Sequence, residues 1–354
     1  MNLKRWLPCL DWAASYDKAT AGKDGLAAVI VTLMLIPQSL AYAMLAGLPP
    51  ITGLYASIAP LFLYAIFGSS RTLAVGPVAV ISLMTAAALT PMFAAETAEY
   101  VGAAMLLATL SGVMLMLMAV LRLGFLANFL SHPVISGFIS ASGLLIALSQ
   151  LKHILGVQAG GDTVLQLVPS LVSQIPYIHV PTLIIGGLCL LFLQLVRTRL
   201  KGFLLSLGCS KGWADSLTKT GPVLTIIVSV LAVTLGHLDS SGVQVVGTVP
   251  QGLPVLRMPT MDMQLAIQLL PAALLISLVG FVESVSVAQT LAAKRRERID
   301  PDQELVGLGT ANIAAAVSGG FPVTGGFSRS IVNFDAGART PMAGVLTAVG
   351  IAVT

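Results

Sequence analysis

Residues Gly319 to Asn333 read GGFPVTGGFSRSIVN, a glycine-broken polar stretch near the end of a chain that is otherwise mostly apolar. A short extended piece, Phe321 to Thr324, meets the pair Gly325–Gly326, and a helix is predicted to start at Phe327–Ser328–Arg329–Ser330. Glycines ahead of a helix let the backbone approach a ligand, and the first N–H groups of the helix carry partial positive charge. The hydroxyls of Ser328 and Ser330 and the fixed cation of Arg329 then make the stretch an anion-site candidate. Taken alone, the stretch reads equally well as a loop whose Arg329 reaches a lipid headgroup.

Composition decides the surroundings. The 354 residues are 56% hydrophobic and 10% charged, with mean hydropathy +0.91. Ordinary soluble chains carry about 25% charged residues. So apolar a chain cannot cover a water-facing surface, and its solvent is lipid. The net charge of +4 does not point to nucleic acid, because the basic residues sit in short stretches between apolar runs. Cys9, Cys189 and Cys209 are too far apart to suggest a metal or disulfide framework. Lys4 and Arg5 are followed by no signal-type apolar region, and Trp6 to Lys23 reads as an amphipathic lead-in along the membrane surface.

A spanning helix needs about 20 apolar residues. The first expected segment is Gly25 to Ala46, interrupted at Pro37–Gln38–Ser39, and the second is Ile51 to Phe67. The third, Leu73 to Leu89, opens LAVGP and is predicted to start its helix in mid-membrane at Pro77. The fourth (Tyr100 to Leu121) holds a Met stripe of packing character. The fifth (Phe125 to Leu148) carries His132 at its start and small residues suited to close helix approach. A long connection, Leu155 to His179, precedes the sixth (Pro181 to Val196). A basic loop with Arg197, Arg199, Lys201, Lys211 and Lys219 leads to the seventh (Val223 to His237). A second long connection, Leu238 to Gln264, leads to the eighth (Leu265 to Ala293) and the ninth (Gln303 to Val317). The opening stretch is the tenth, and an eleventh starts near Gly337. With the N-terminus in the cytoplasm, fifteen of the nineteen Lys and Arg residues fall on the cytoplasmic side, as basic-residue bias requires. Arg71 reads as a membrane-edge anchor.

The chain also resembles itself. AAVIVTLMLIPQSLAYAMLA, from Ala27, lies over AALLISLVGFVESVSVAQTL, from Ala272, matching Gln38 to Glu283 and Ser39 to Ser284. LAVGPVAVISL, from Leu73, lies over FPVTGGFSRSI, from Phe321. Seven crossings separate the paired copies, so they are inverted. Inverted repeats with paired discontinuous helices mark secondary transporters with a midplane site. Half-helices beginning near Pro77 and Ser328 would aim two positive dipole ends at one gap, which favours an anion. Glu283 reads as the only carboxylate deep in an apolar helix. Either it forms a static ion pair with Arg329, or it takes up a proton or helps hold a cation. Gln38 either contacts substrate or satisfies backbone freed by Pro37.

The stretches IPQSLAYAMLAGLPPITGLYAS, LAVGPVAVISLM, GFVESVSVAQTLA, QELVGLGTANI and GGFPVTGGFSRSIVN resemble the SulP (sulfate permease) family of anion transporters, in order from Asp11 to Thr354. The resemblance implies an all-α polytopic membrane protein with the uracil-permease-like fold, two inverted seven-helix repeats with discontinuous helices 3 and 10. Helices 1–4 and 8–11 would form a core and helices 5–7 and 12–14 a gate. On that frame residues 1–238 are the first repeat and 239–354 the start of the second, with helices 12–14 and the cytoplasmic STAS domain of typical members absent. Typical members are homodimers. The implied anion site is Gln38, Val75, Gly76, Pro77, Val78, Gly326, Phe327, Ser328, Arg329 and Ser330, with Glu283 at the coupling-ion position.

The expectation is therefore a multi-pass protein of the bacterial inner (plasma) membrane carrying sulfate or a similar oxyanion by symport with a proton. The nearest alternatives are a bicarbonate or carboxylate carrier of the same family, sodium-coupled or exchanging, then an uncoupled channel. An inactive truncated fragment is a further reading. A nucleobase permease of this fold would be expected to use a carboxylate where Arg329 stands. No nucleophile–base pair, metal-ligand set or cofactor motif appears, so no enzyme or cofactor is expected.

Overall fold

The computed structural model describes residues 7–129, 132–160, 164–210, 214, 217–218, 221–245, 252–259 and 262–354. These fall into two compact units, residues 1–136 with 249–354, and residues 137–248.

The first unit begins with α1 (Cys9–Ala13) and α2 (Lys18–Leu45). Asp17 caps α2, its side chain accepting from Thr20 N at 2.8 Å. The cap therefore pulls residues 18–23 into the long helix, where sequence alone placed them in a surface lead-in. α2 also runs unbroken through Pro37, correcting the expected interruption. Proline removes one ladder donor and bends a helix without necessarily ending it.

After α3 (Ile51–Phe67) the chain enters β1 (Val75–Gly76) and α4 (Ala79–Leu89). α4 starts two residues later than expected. Val78, extended at φ −136° and ψ 152°, is its N-cap, and Pro77 stays outside the helix. α5 (Ala98–Val120) is followed by a 3-10 stretch, Leu123–Phe129, and by α6 (His132–Leu155), which His132 opens.

In the second unit α7 (Val164–Ser173) is a short helix inside what the sequence suggested was a plain connection. α8 (Val180–Leu195) passes through a π-turn (Val196–Leu200) into α9 (Lys201–Ser206), so Arg197, Arg199 and Lys201 stand on helix and not in a loop. The remainder of the expected basic loop, Lys211 and Lys219, lies outside the described residues. α10 (Gly221–Leu235) completes this unit. His179 Nε2 donates to the Ser241 carbonyl at 2.9 Å, and its Nδ1 pairs with Thr182 Oγ1 at 2.8 Å.

The chain returns to the first unit with α11 (Met263–Arg295), α12 (Pro301–Val317), β2 (Thr324–Gly325), α13 (Phe327–Asp335) and α14 (Met342–Val353). Asp262 and Asp300 cap α11 and α12 through their side chains. Lys18–Leu45, Ala98–Val120, Val180–Ser206 and Met263–Arg295 are each long and apolar enough to span a bilayer.

Small residues bring the helices of the first unit together, as expected where lipid weakens the drive to bury apolar surface. A Cβ on Gly112 of α5 would lie 2.9 Å from the Gly309 carbonyl oxygen, and one on Gly309 of α12 would lie 3.1 Å from that of Gly112. The core there is built by Tyr64, Leu106, Leu107, Phe281, Leu308 and Phe321, among others. Two other carboxylates, Glu304 and Asp24, are buried more completely than Glu283. Glu304 accepts from Ser69 N (2.9 Å), Ser70 N (2.7 Å), Ser69 Oγ (2.7 Å) and Tyr64 Oη (2.8 Å). Asp24 accepts from Arg339 N (2.6 Å), Thr340 N (3.2 Å) and the Thr340 hydroxyl. Both sit near helix ends, so their oxygens are met by loop N–H and hydroxyl donors that sequence spacing does not reveal.

Candidate functional site

β1 and β2 pair antiparallel, Val75 with Gly325 and Gly76 with Thr324. Backbone polar groups in lipid need internal partners, and this two-residue pairing supplies them where two helices are interrupted. Gly326 N extends the ladder to the Ala74 carbonyl at 3.1 Å. Beyond the crossing each strand turns into a half-helix with the same opening geometry. Ser82 N donates to the Val78 carbonyl at 2.9 Å, and Ser330 N to that of Gly326 at 3.0 Å. The first-turn N–H groups of Ala79, Val80 and Ile81, and of Phe327, Ser328 and Arg329, precede the first intrahelical bond. α13, with nine residues, is about 14 Å long at ~1.5 Å per residue, about half of a ~30 Å hydrocarbon core.

Arg329 is 2% exposed and folds back across the strand crossing. Its Nε donates to the Ala74 carbonyl (3.3 Å) and Nη1 to the Pro77 carbonyl (3.2 Å), while Nη2 is buried with no partner. The two site glycines make room for it. A Cβ on Gly76 would lie 3.2 Å from Nη1, and one on Gly326 would lie 3.0 Å from Nη2. The guanidinium is thus held by carbonyls on one side, with one N–H pair left over.

Other polar groups fix the crossing. Ser330 Oγ accepts from Ala74 N at 2.9 Å, which fixes the hydroxyl beside the crossing without using its O–H as donor. Asn333 donates to the Thr72 carbonyl at 3.0 Å. Ser284 Oγ lies 2.6 Å from Thr324 Oγ1 and accepts from Gly325 N at 2.8 Å, while Thr324 Oγ1 donates to the Gly280 carbonyl at 2.6 Å. Asn312 grips both the N–H and the carbonyl of Val323. Thr324 and Asn312 are not among the site residues expected from the sequence. The signal was present in FPVTGG and GTANI, where a polar residue stands in an apolar run.

Glu283 on α11 and Gln38 on α2 are part-buried. Glu283 Oε2 and Gln38 Oε1 are buried without hydrogen-bond partners, and Gln38 Nε2 donates to Tyr42 Oη at 2.9 Å. Glu283 and Tyr42 both lie within electrostatic reach of Arg329. No hydrogen bond joins Glu283 to Arg329, so the static pairing expected as one alternative is not made in this state. The strand crossing thus gathers Val75, Gly76, Pro77, Val78, Gly326, Arg329 and Ser330, all buried, while Phe327 and Ser328 are exposed. Among the described residues, the polar atoms left without partners here are Arg329 Nη2, Glu283 Oε2 and Gln38 Oε1, and Ser82 Oγ in the first turns of α4 is a fourth.

The sulfate permease family profile matches residues 22–354. The chain belongs to the sulfate permease family. Among relatives, it is 39% identical over 355 residues to the chloroplastic sulfate transporter 4.1 of Arabidopsis thaliana, covering 99% of this chain and 50% of that protein. The structure of SLC26A9 superposes with a TM-score of 0.86 at 24% identity, covering 99% of this chain and 56% of that one. The transmembrane domain of a cyanobacterial bicarbonate transporter, BicA, superposes with a TM-score of 0.77 at 20% identity, covering 96% and 83%. The chain spans about half the length of the curated relatives it matches. Family and fold agree with the sequence expectation of an inverted-repeat, uracil-permease-like membrane protein, multi-pass and of a transporter and not an enzyme family.

Proposed function

We propose that this sulfate permease family member carries small inorganic anions across the membrane by secondary active transport, with sulfate or a similar oxyanion as cargo. The observation that carries the reading is the unpartnered, buried Nη2 of Arg329 at the crossing of two half-helix N-termini. A buried cationic donor without an acceptor is costly, and an anion relieves it. First-turn N–H groups from both half-helices add oriented dipoles. In this reading Gln38, Val75 to Val78, and Gly326 to Ser330 form the binding surface, and Glu283 takes up the coupling proton.

A bicarbonate carrier is the second reading. It is favoured by the fold similarity to the transmembrane domain of a cyanobacterial bicarbonate transporter. The same guanidinium and helix ends suit a planar carboxylate-like anion as well as a tetrahedral one. Residues 1–238 as first repeat and 239–354 as the start of the second, an N-terminus in the cytoplasm, an inner-membrane location and a homodimer belong to the same proposal. Alternating access would expose the site to one side at a time. Reconstituted vesicles loaded with labelled sulfate, challenged with unlabelled sulfate, bicarbonate, chloride and dicarboxylates, test the proposal. Competition by sulfate alone identifies the cargo, stronger competition by bicarbonate selects the second reading, and no saturable flux refutes both.

A further inference from the structure

Away from the strand crossing, a polar cavity of about 440 Å³ opens in the first unit where α1, the end of α3, and the turn between α11 and α12 meet. Its volume lies in the range of ligand pockets, about 300–1,000 Å³. Asp11, Trp12, Arg71, Glu297, Arg298 and Asp300 line it, among others. Trp12 is 9% exposed, and its indole N–H is buried with no hydrogen-bond acceptor. Indole nitrogen is a donor only, so the missing partner must present a lone pair. Arg71 and Arg298, both exposed, line the same cavity.

The acids restrict what can enter. Asp300 Oδ1 already serves Asp302 N (3.0 Å) and Gln303 N (3.3 Å), and Asp11 and Glu297 line the cavity with it. A bare phosphate would meet the two guanidinium groups but also these carboxylates. A bare ammonium would meet the carboxylates but also the guanidinium groups. A molecule carrying both signs a few atoms apart satisfies both sets. We propose that this cavity binds a phosphoethanolamine-type zwitterion, with the phosphate taken by Arg71, Arg298 and the Trp12 N–H and the ammonium by Glu297 and Asp300. The cavity is walled by helix ends and turns of a lipid-embedded chain, with a tryptophan of the kind enriched at membrane interfaces. A phospholipid headgroup and free phosphoethanolamine share this chemistry.

The test is calorimetry on the delipidated, detergent-solubilised protein. The probes are short-chain phosphatidylethanolamine, phosphatidylcholine and phosphatidylglycerol, and free phosphoethanolamine. Saturable binding of the ethanolamine lipid is expected, roughly tenfold tighter than of the choline lipid, whose quaternary nitrogen has no N–H for a carboxylate. The Arg71→Gln, Arg298→Gln double variant should lose roughly tenfold or more, and Trp12→Phe, which keeps the ring but not the donor, a few-fold. Binding of free phosphoethanolamine as tight as that of the lipid names a soluble zwitterion. Binding of the lipid alone names a headgroup. Either supports the site. Absent saturable binding by the parent, or phosphatidylglycerol bound as tightly as phosphatidylethanolamine, overturns it. Because that selectivity is read on the parent, the result stands even if a variant fails to fold. Unchanged affinity in folded variants also overturns it.

Discussion

Gly76 pairs with Thr324 across the two-residue sheet, and these same two residues are matched by the internal repeat. They lie 248 positions apart, as do the half-helix N-caps Val78 and Gly326. In a sheet formed by two inverted copies, a residue meets its own counterpart only on the symmetry axis. The pseudo-twofold axis of the chain therefore passes through this pair. Arg329 breaks the symmetry, because its counterpart in the repeat is Ile81. One cation thus stands at a site whose backbone is duplicated.

That asymmetry makes the charge separable from the backbone. Arg329→Ala should weaken oxyanion binding by about 1.5–3 kcal/mol, the range for a hydrogen bond to a charged group. Isothermal calorimetry with sulfate measures it directly. A folded variant with unaltered affinity would remove Arg329 from the site.

The neighbouring glycines should divide by what a methyl group would strike. At Gly326 the new Cβ would lie 3.0 Å from Arg329 Nη2, so Gly326→Ala should cost roughly tenfold in anion affinity with a near-parental unfolding temperature. At Gly325 it would lie 2.6 Å from Leu73 Cδ1, so Gly325→Ala should lower stability by about 1–3 kcal/mol, the usual range for overpacking. Thermal unfolding in detergent, run beside calorimetry, separates the two. Equal effects on both readouts would contradict the division.

Glu304 accepts four hydrogen bonds in a fully buried setting. Glu304→Gln puts an amide NH₂ among donors and should cost about 1–3 kcal/mol. Glu304→Ala should cost at least as much, because the Ser69 and Ser70 N–H groups lose their acceptor. Detergent unfolding curves provide the measure, and a Gln variant as stable as the parent would show that the carboxylate is dispensable.

For coupling, Glu283→Gln mimics the protonated side chain. The variant should still exchange anions between vesicle interior and exterior but lose accumulation driven by an inward proton gradient. Opposite charges entering the site together lower the cost of exposing either to a low-dielectric interior. Gradient-dependent accumulation as steep as the parent's would assign the proton elsewhere.

Orientation can be read by labelling single cysteines with an impermeant reagent from outside. Residues in the 155–179 and 238–264 connections should react, and those at 294–298 should not, because basic residues favour the cytoplasm. The reverse pattern would invert the topology.

The broken helices were legible because Gly–Pro and Gly–Gly interrupt apolar runs at matched positions. Gly325–Gly326 sets the start of α13 at Phe327, as found, whereas Pro77 suggests an earlier start for α4 than its extended Val78 allows. The unpartnered polar atom of Arg329 could be anticipated, since a charge among apolar helices demands a reason. The roles of Glu304 and Asp24 could not. Each lies near a helix end, where sequence reads as solvated, and its partners come from 234 or more positions away. Pro37 misled in the opposite direction: local chemistry predicted a break that the surrounding packing overrides.

The 248-residue span of the β1–β2 pairing sets a timetable for biosynthesis. At about 5–20 residues per second, β1 leaves the ribosome roughly 12–50 seconds before its partner exists. For that interval the backbone groups of Val75 and Gly76 have no strand to bind, and hydrocarbon offers none. The nascent first half must therefore wait with this break hydrated or sheltered by the insertion machinery.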